Sequence, residues 1–366
     1  MKKSTFTLIL LFPLVSSGVA PIQNIPGEYK YHTYESMTNL LRTLAAEYPS
    51  IILLESIGTT YESREIWMVK ISDNVSIEED EPGVLLMGAH HGNEKPSYEV
   101  LVFFIKYIVE NYSKPDIDND GDGLINEDTF DGVDNDGDGL IDEDPSESRI
   151  KEIVDNTQIY IVPMVNPDGV EYGWRKNRVP NHGPFGLNKE VTSYGVDLNR
   201  NYGYLWYLPF IFPKRYHLAA LLPDKSWNYH GPYPFSENET RAIKHLVENH
   251  DIRIAISYHS FGEFIFYPWT HTSLPTPDEK LFLSIGENIS QIDGYYLYRG
   301  RDYLIPRFGG TIGTVDNWLY GVHRIPSFTI ELCKSRAPRD PEIVYTYCWR
   351  HVGVNLYICE KAIDLQ

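Results

Sequence analysis

Apolar residues recur along this chain with two periods, and their alternation lays out a helix-and-strand fold. Over 34–48, Met37, Leu40, Leu41, Leu44 and Ala45 return at helical spacing, which predicts a helix closed by Pro49. Residues 51–56 and 66–71 then read as strands separated by a turn around Gly58, 84–87 as a short buried strand, and 98–112 as a helix apolar on most of its surface. A short helix over 149–154, a buried strand over 158–165, a helix over 236–248 and a strand over 252–257 continue the series. Ser236 and Glu239 have the spacing of a capping box for the third of these. A helix over 277–291, a loop over 309–317, a strand over 327–332 and a C-terminal helix over 341–363 complete it. Residues 204–228, rich in aromatics and Pro, show no period and read as an inserted loop. Strands alternating with helices predict one α/β domain.

Composition changes this picture in three places. Lys2 and Lys3, the apolar run 6–15 and Gly18-Val19-Ala20 are the charged, apolar and small-residue parts of a signal peptide over 1–20, so 21–366 is expected to be an exported, soluble domain. The apolar run is too short to span a bilayer, and too little chain precedes the first helix for a folded activation domain. The net charge of −19 is uneven: residues 116–144 hold 13 Asp or Glu and no Lys or Arg. With no basic stripe elsewhere, nucleic acid is not an expected partner. The 3 cysteines, Cys333, Cys348 and Cys359, leave two options: one disulfide that uses Cys333, or three free thiols.

The acidic stretch is a repeat. Asp118, Asp120, Asp122 and Asp128 recur as Asp134, Asp136, Asp138 and Asp144, each set around glycine turns. Alternate carboxylates at such turns converge oxygens on a hard cation, so 116–145 is read as an inserted calcium-binding loop. Thr129 and Pro145 stand where an EF-hand needs Glu, and the pattern is instead similar to the calcium repeats of thrombospondin type 3 and dockerin-like modules.

Unusual polar groups stand at the ends of the predicted strands. His91 and Glu94 follow the strand 84–87 across a glycine turn, an imidazole and a carboxylate suited to zinc. Asn166-Pro167-Asp168-Gly169 reads as a turn after the second buried strand, and Trp174-Arg175-Lys176 and Asp197-Leu198-Asn199-Arg200-Asn201 follow it. His259 follows the strand 252–257, and Glu331 lies in an apolar strand, where an unpaired carboxylate is costly. Sites in open α/β sheets gather at the carboxyl ends of strands.

In this order, the motifs from His91 to Glu331 resemble those of the zinc metallocarboxypeptidases of the carboxypeptidase A and B type, including bacterial carboxypeptidase T-like members, over nearly all of the mature chain. The resemblance implies a single α/β domain around a mixed, mainly parallel eight-stranded sheet with helices on both faces. It implies one catalytic zinc on His91, Glu94 and His259, Glu331 as the base that activates the attacking water, and Arg175 as the oxyanion's partner. Asn199 and Arg200 would hold the terminal carboxylate of a peptide or protein substrate. His90, out of register with Glu94, is expected to pack behind the site.

Three positions depart from the family pattern. Asn93 replaces an arginine of many relatives, and the two insertions lengthen the interval between Glu94 and His259. Counting back from Glu331 without gaps puts Gly309 where the family has a mobile tyrosine, so Tyr303 takes that role only if the loop holds an insertion. The same count puts Asp316 at the floor of the side-chain pocket, which implies a preference for C-terminal Lys or Arg through charge pairing. Two other readings share the motifs: a relative acting on cell-wall peptides, and a calcium-stabilised binding protein without catalysis.

Overall fold

Thr33 caps the first helix, α1 (Tyr34–Glu47), in a capping box with Ser36, and the predicted stripe Met37, Leu41 and Leu44 is buried. The structure, a computed structural model, describes residues 28–112, 147–182, 188–211, 227–272, 274–300 and 311–365. The signal segment 1–20, the repeat aspartates from Asp118 to Asp144, Tyr303 and much of 204–228 lie outside these residues. After α1 come β1 (Ile52–Thr59), β2 (Glu65–Ile71), β3 (Gly83–Met87), α2 (Pro96–Asn111), α3 (Glu147–Val154), β4 (Gln158–Val162) and α4 (Pro167–Tyr172). Two short strands, β5 (Pro180–Asn181) and β6 (Ser193–Tyr194), pair with each other. The chain continues through α5 (Leu208–Ile211), α6 (Asn238–Asn249), β7 (Ile252–Ser260), β8 (Phe264–Tyr267), α7 (Glu279–Asp293), β9 (Tyr296–Arg299), α8 (Val315–His323), β10 (Ser327–Leu332) and α9 (Pro341–Asp364).

Eight strands form one sheet in the order β1-β2-β4-β3-β7-β10-β8-β9. The pairs β4–β3, β3–β7, β7–β10 and β8–β9 are parallel, whereas β1–β2, β2–β4 and β10–β8 are antiparallel. The sheet is therefore mixed rather than mainly parallel, a correction to the expectation. The reason is connection length: a parallel return needs a crossover of about a dozen residues, and the links β1–β2 and β7–β8 are too short to supply one.

Alternation along the central strands sends residues into two cores. Val84 and Leu86 of β3, Ile256 and Tyr258 of β7, and Phe328 and Ile330 of β10 join the core under α1, α2, α7 and α9. Leu85, Met87 and Ala255 join the core under α6 and α8. Because β3, β7 and β10 are parallel neighbours, their carboxyl ends coincide, and Glu331 lies beside His259 in register.

Several local expectations change. β7 continues to Ser260, so His259 is inside the strand rather than after it. The Asn166-Pro-Asp-Gly turn is the start of α4, with Asn166 Oδ1 accepting from Gly169 N. α6 is entered through Glu237 with no side-chain cap; Ser236 Oγ donates to Glu237 and accepts from Asn201. Cys333, Cys348 and Cys359 are all buried free thiols.

Candidate metal centre and active site

The loop between β3 and α2 is held by its own backbone. A Cβ on Gly92 would stand 2.0 Å from the backbone carbon of Gly169, so only glycine lets the two loops meet. Asn166 Nδ2 donates to His90 O and Arg175 O, at 3.3 Å each, tying this loop to the one after α4. Ser97 Oγ accepts from Ala89 N at 3.0 Å and donates to Glu94 O, which fastens the first turn of α2 to the same loop.

These ties bring His91, Glu94 and His259 together, all buried. His91 Nδ1 lies 3.0 Å from Glu94 Oε1, His259 Nδ1 lies 2.9 Å from Glu94 Oε2, and the two Nδ1 atoms are 3.1 Å apart. Their outer nitrogens are engaged: His91 Nε2 with Asp197 Oδ1 at 3.0 Å, and His259 Nε2 with Ser257 Oγ at 3.2 Å. Asn199 Nδ2 also lies 3.2 Å from His259 Nε2. With His91 Nε2 donating to Asp197, His91 Nδ1 presents a lone pair to both the Glu94 carboxylate and His259 Nδ1, crowding that a cation relieves. Tetrahedral zinc bonds place ligand atoms roughly 3.3 Å apart, a few tenths of an ångström from what is seen. Two histidines and a glutamate are the donor types that zinc takes in catalytic sites. Burial pushes the Glu94 carboxyl up, but His91 and His259 overcome this and hold it well below the usual carboxylate range.

Asp197 is the functional residue that the motif contained but to which no role was attached. It is fully buried, accepts from Arg175 Nε and Nη2 at 3.0 and 2.9 Å, and fixes the tautomer of His91 through its other oxygen. Burial alone would raise its pKa; Arg175, His91 and Arg200 hold it far below the ordinary aspartate range. The available hint was its place one residue before Leu198-Asn199-Arg200, which Asp197 shares with two cationic neighbours only after folding.

Arg175 follows the left-handed Gly173 that ends α4, and its Nη1 lies 3.2 Å from His91 Nδ1 and 3.5 Å from Glu94 Oε1. Glu331 is half-buried beside His259; burial first, then the charge of Glu94, pushes its carboxyl up to about 8 against the pull of Arg175, Arg200 and Arg336. Asn199 Oδ1 accepts from Val315 N at 2.9 Å, which anchors the 3-10 turn Leu198–Arg200 to the start of α8. Gly313, at φ +66°, packs where a Cβ would meet Arg200 O at 2.2 Å. Arg200 Nη1 donates to Asn199 O, and no carboxylate among the described residues forms an ion pair with this guanidinium. Asp316, in the first turn of α8, is buried, and no cationic side chain among the described residues forms an ion pair with it. Burial holds its carboxyl above the usual range despite the Thr314 hydroxyl, the Asn317 and Asp316 backbone N–H groups and the charge of Arg200.

His90 stands behind the trio. Its ring stacks on His259, with centroids 5.8 Å apart, Nδ1 lies 3.2 Å from Ser257 Oγ, and Nε2 lies 2.8 Å from the Tyr202 hydroxyl. Asn93, between the ligands, is half-buried, and its Oδ1 is without a partner among the described residues.

A profile of the zinc carboxypeptidase family matches residues 37–348. A zinc carboxypeptidase of Saccharothrix mutabilis subsp. capreolus is 28% identical over 86% of this chain and 65% of its own length, so the chain spans just under two thirds of that relative. Carboxypeptidase B of Astacus astacus is 25% identical, with 82% of this chain and 86% of the relative covered. The crystal structure of carboxypeptidase A from Helicoverpa armigera shares the fold, with a TM-score of 0.65 at 22% identity over 91% of this chain and 74% of that one. With the profile reaching across both halves of the sheet and the two histidines and glutamate lying inside its span, the chain belongs to the zinc carboxypeptidase family.

Proposed function

We propose that the protein is an exported metallocarboxypeptidase that removes the last residue of peptides and proteins, with a preference for Lys or Arg. The observation that carries this reading is the convergence of His91 Nδ1, Glu94 and His259 Nδ1 on one point, with Glu331, Arg175 and Arg200 around it. His91, Glu94 and His259 hold zinc, which when bound supplies Lewis acidity for attack on the carbonyl. Glu331 takes a proton from the attacking water and passes it to the leaving amine, a task suited to a carboxyl whose pKa burial has raised toward neutrality. Arg175, braced by Asp197, donates to the carbonyl oxygen as it gains negative charge. Arg200, which forms no ion pair with a carboxylate among the described residues, and the Asn199 amide bind the substrate's terminal carboxylate, which limits cleavage to the last bond.

Asp316 gives the side-chain preference. A buried aspartate near the carboxylate clamp, met by the Thr314 hydroxyl and first-turn backbone N–H groups but by no ion-pair partner among the described residues, favours a cationic side chain that reaches it. The test is hydrolysis of paired peptides ending in Arg and Phe, with zinc content measured on the same protein. Arg is expected to be preferred by about tenfold or more, the equivalent of one charge-assisted hydrogen bond, and Asp316→Ala to remove the preference. Equal efficiency with both peptides, unchanged in the variant, sinks the basic preference; bound zinc with no turnover sinks the peptidase reading.

Export rests on the signal-like segment 1–20, and Tyr303 as a substrate-binding residue rests on the resemblance alone. The paired repeats from Asp118 to Asp144 support calcium binding that orders 116–145 and leaves the chemistry untouched. Removal of calcium with a chelator selective over zinc is expected to lower the melting temperature while kcat stays constant; identical melting with and without calcium rules that role out.

A further inference from the structure

The reverse face of β7 holds a second buried polar group, unrelated to the zinc trio. Tyr258, which points away from the site, donates its hydroxyl hydrogen to Asn355 Oδ1 at 2.8 Å. Asn355 and His351 lie one turn apart on α9, both fully buried in a helix otherwise packed with Val352, Val354, Leu356 and Ile358. His351 Nδ1 is 2.8 Å from Tyr347 O, so it carries the hydrogen and donates it. In the neutral ring, Nε2 is then a lone pair, and burial keeps the ring neutral by pushing its pKa down to about 3. Asp293 ends α7; its Oδ1 accepts from Tyr295 N at 2.8 Å, and its Oδ2 lies 4.0 Å from His351 Nε2, beyond a direct hydrogen bond. The Tyr258 and Tyr295 rings flank His351, each with centroids 5.5 Å away.

Four atoms of this group have no hydrogen-bond partner among the described residues: Asp293 Oδ2, the Tyr295 hydroxyl, His351 Nε2 and Asn355 Nδ2. Each belongs to a residue at most 2% exposed. Leaving four such atoms unpaired is strongly unfavourable, and native proteins resolve such groups with internal water.

We propose that these four atoms enclose one ordered water molecule, which braces the rear of β7 against α7 and α9. The hydrogen-bond count matches. Burial pushes the Asp293 carboxyl up to about 8, so it carries a hydrogen at neutral pH. The water accepts from the Asp293 carboxyl and Asn355 Nδ2 and donates to His351 Nε2 and the Tyr295 oxygen. A metal cation is opposed by the Asn355 N–H groups and by an Asp293 carboxyl that burial keeps neutral, and an anion by the His351 lone pair. Tyr258 immediately precedes His259, so the brace sits directly behind one of the residues that meet on the front face.

A crystal structure of the whole chain with ordered solvent tests the assignment. One solvent peak is expected within hydrogen-bonding distance, about 3.2 Å, of all four atoms. Side chains paired directly with no peak between them, or a peak with the density and coordination of an ion, overturn it. A second test is Asn355→Asp, which keeps the shape and the Tyr258 contact but turns a donor toward the water into an acceptor. It is expected to lower the melting temperature by about 2–4 °C or more and to remove the peak; an unchanged melting temperature with the peak retained counts against the proposal.

Discussion

The two faces of β7 each carry a buried polar group, and the two differ in what they ask of a ligand. On the front, around His259, acceptors are in excess: His91 Nδ1 and both oxygens of Glu94 converge beside His259 Nδ1. The outer ring nitrogens meet Asp197 on one side and Ser257 and Asn199 on the other. On the rear, around Tyr258, lone pairs and N–H or O–H donors are balanced among Asp293, Tyr295, His351 and Asn355. An excess of converging lone pairs calls for a cation, and a balance of donors and acceptors calls for a neutral molecule. Polarity and burial are common to both faces, so the direction of the hydrogens is what separates a reaction centre from a structural one.

If the front face carries chemistry and the rear face stability, substitutions should separate the two. The largest effect is expected from Glu331→Gln, which keeps the size of the side chain but removes the base. Its kcat should fall by about 10²–10⁴-fold with zinc content unchanged, and the melting temperature should not drop, since burial and Glu94 already disfavour the ionised carboxyl. Near-normal turnover would take Glu331 out of the reaction.

A smaller loss is expected one layer out. Asp197→Asn leaves the packing intact but weakens the acceptor that orients His91 and Arg175, and should lower zinc affinity or activity by about 10–100-fold. Competition with a metal-sensitive dye measures the affinity; an affinity and turnover equal to those of the parent would show that Asp197 has no part in orienting the ligand. The smallest effect belongs to the rear. Ile330→Val, on the strand that also carries Glu331 but on its opposite side, should cost about 0.5–1.5 kcal/mol of stability by denaturant unfolding and leave kcat alone. A change in kcat there would mean that the two faces are not separable.

Much of this molecule was legible because its strongest signals are local. The stripe of α1, the continuous apolar run of α2, the strands β3 and β10 and the long α9 each have a clear period or a clear run, bounded by Pro or Gly. β8 and β9 were missed because four residues are too few to establish a period, and Phe264–Tyr267 is apolar throughout. α4 was hidden for a similar reason: the six residues that follow Asn166 look like a turn until the Asn166 cap is seen to start a helix. Ser236 had the right spacing for a cap, but Asn201, 35 residues earlier, took its hydroxyl.

The site divides in the same way. Motif order pointed to His91, Glu94, Arg175, Asn199, Arg200, His259 and Glu331, and the fold brings them to the carboxyl ends of adjacent strands. Asp316 is likewise placed near Arg200, but its burial and the absence of an ion-pair partner among the described residues became visible only in three dimensions. Tyr303 and the aspartates of the acidic repeat remain readings of sequence. Asp197 illustrates the limit: its two partners, His91 and Arg175, lie 106 and 22 residues away in the chain.

By itself the sequence determined the helices and strands with a strong period, the α/β class, and the residue types and order of a zinc carboxypeptidase. Tertiary structure alone decided the mixed direction of the sheet, the pairing of Asp197 with both His91 and Arg175, and the grouping of Asp293, Tyr295, His351 and Asn355 behind β7. The physical reason is range. Hydrophobic period and capping act within a few residues, whereas the protonation of a buried side chain depends on neighbours that only the completed sheet brings within hydrogen-bonding distance.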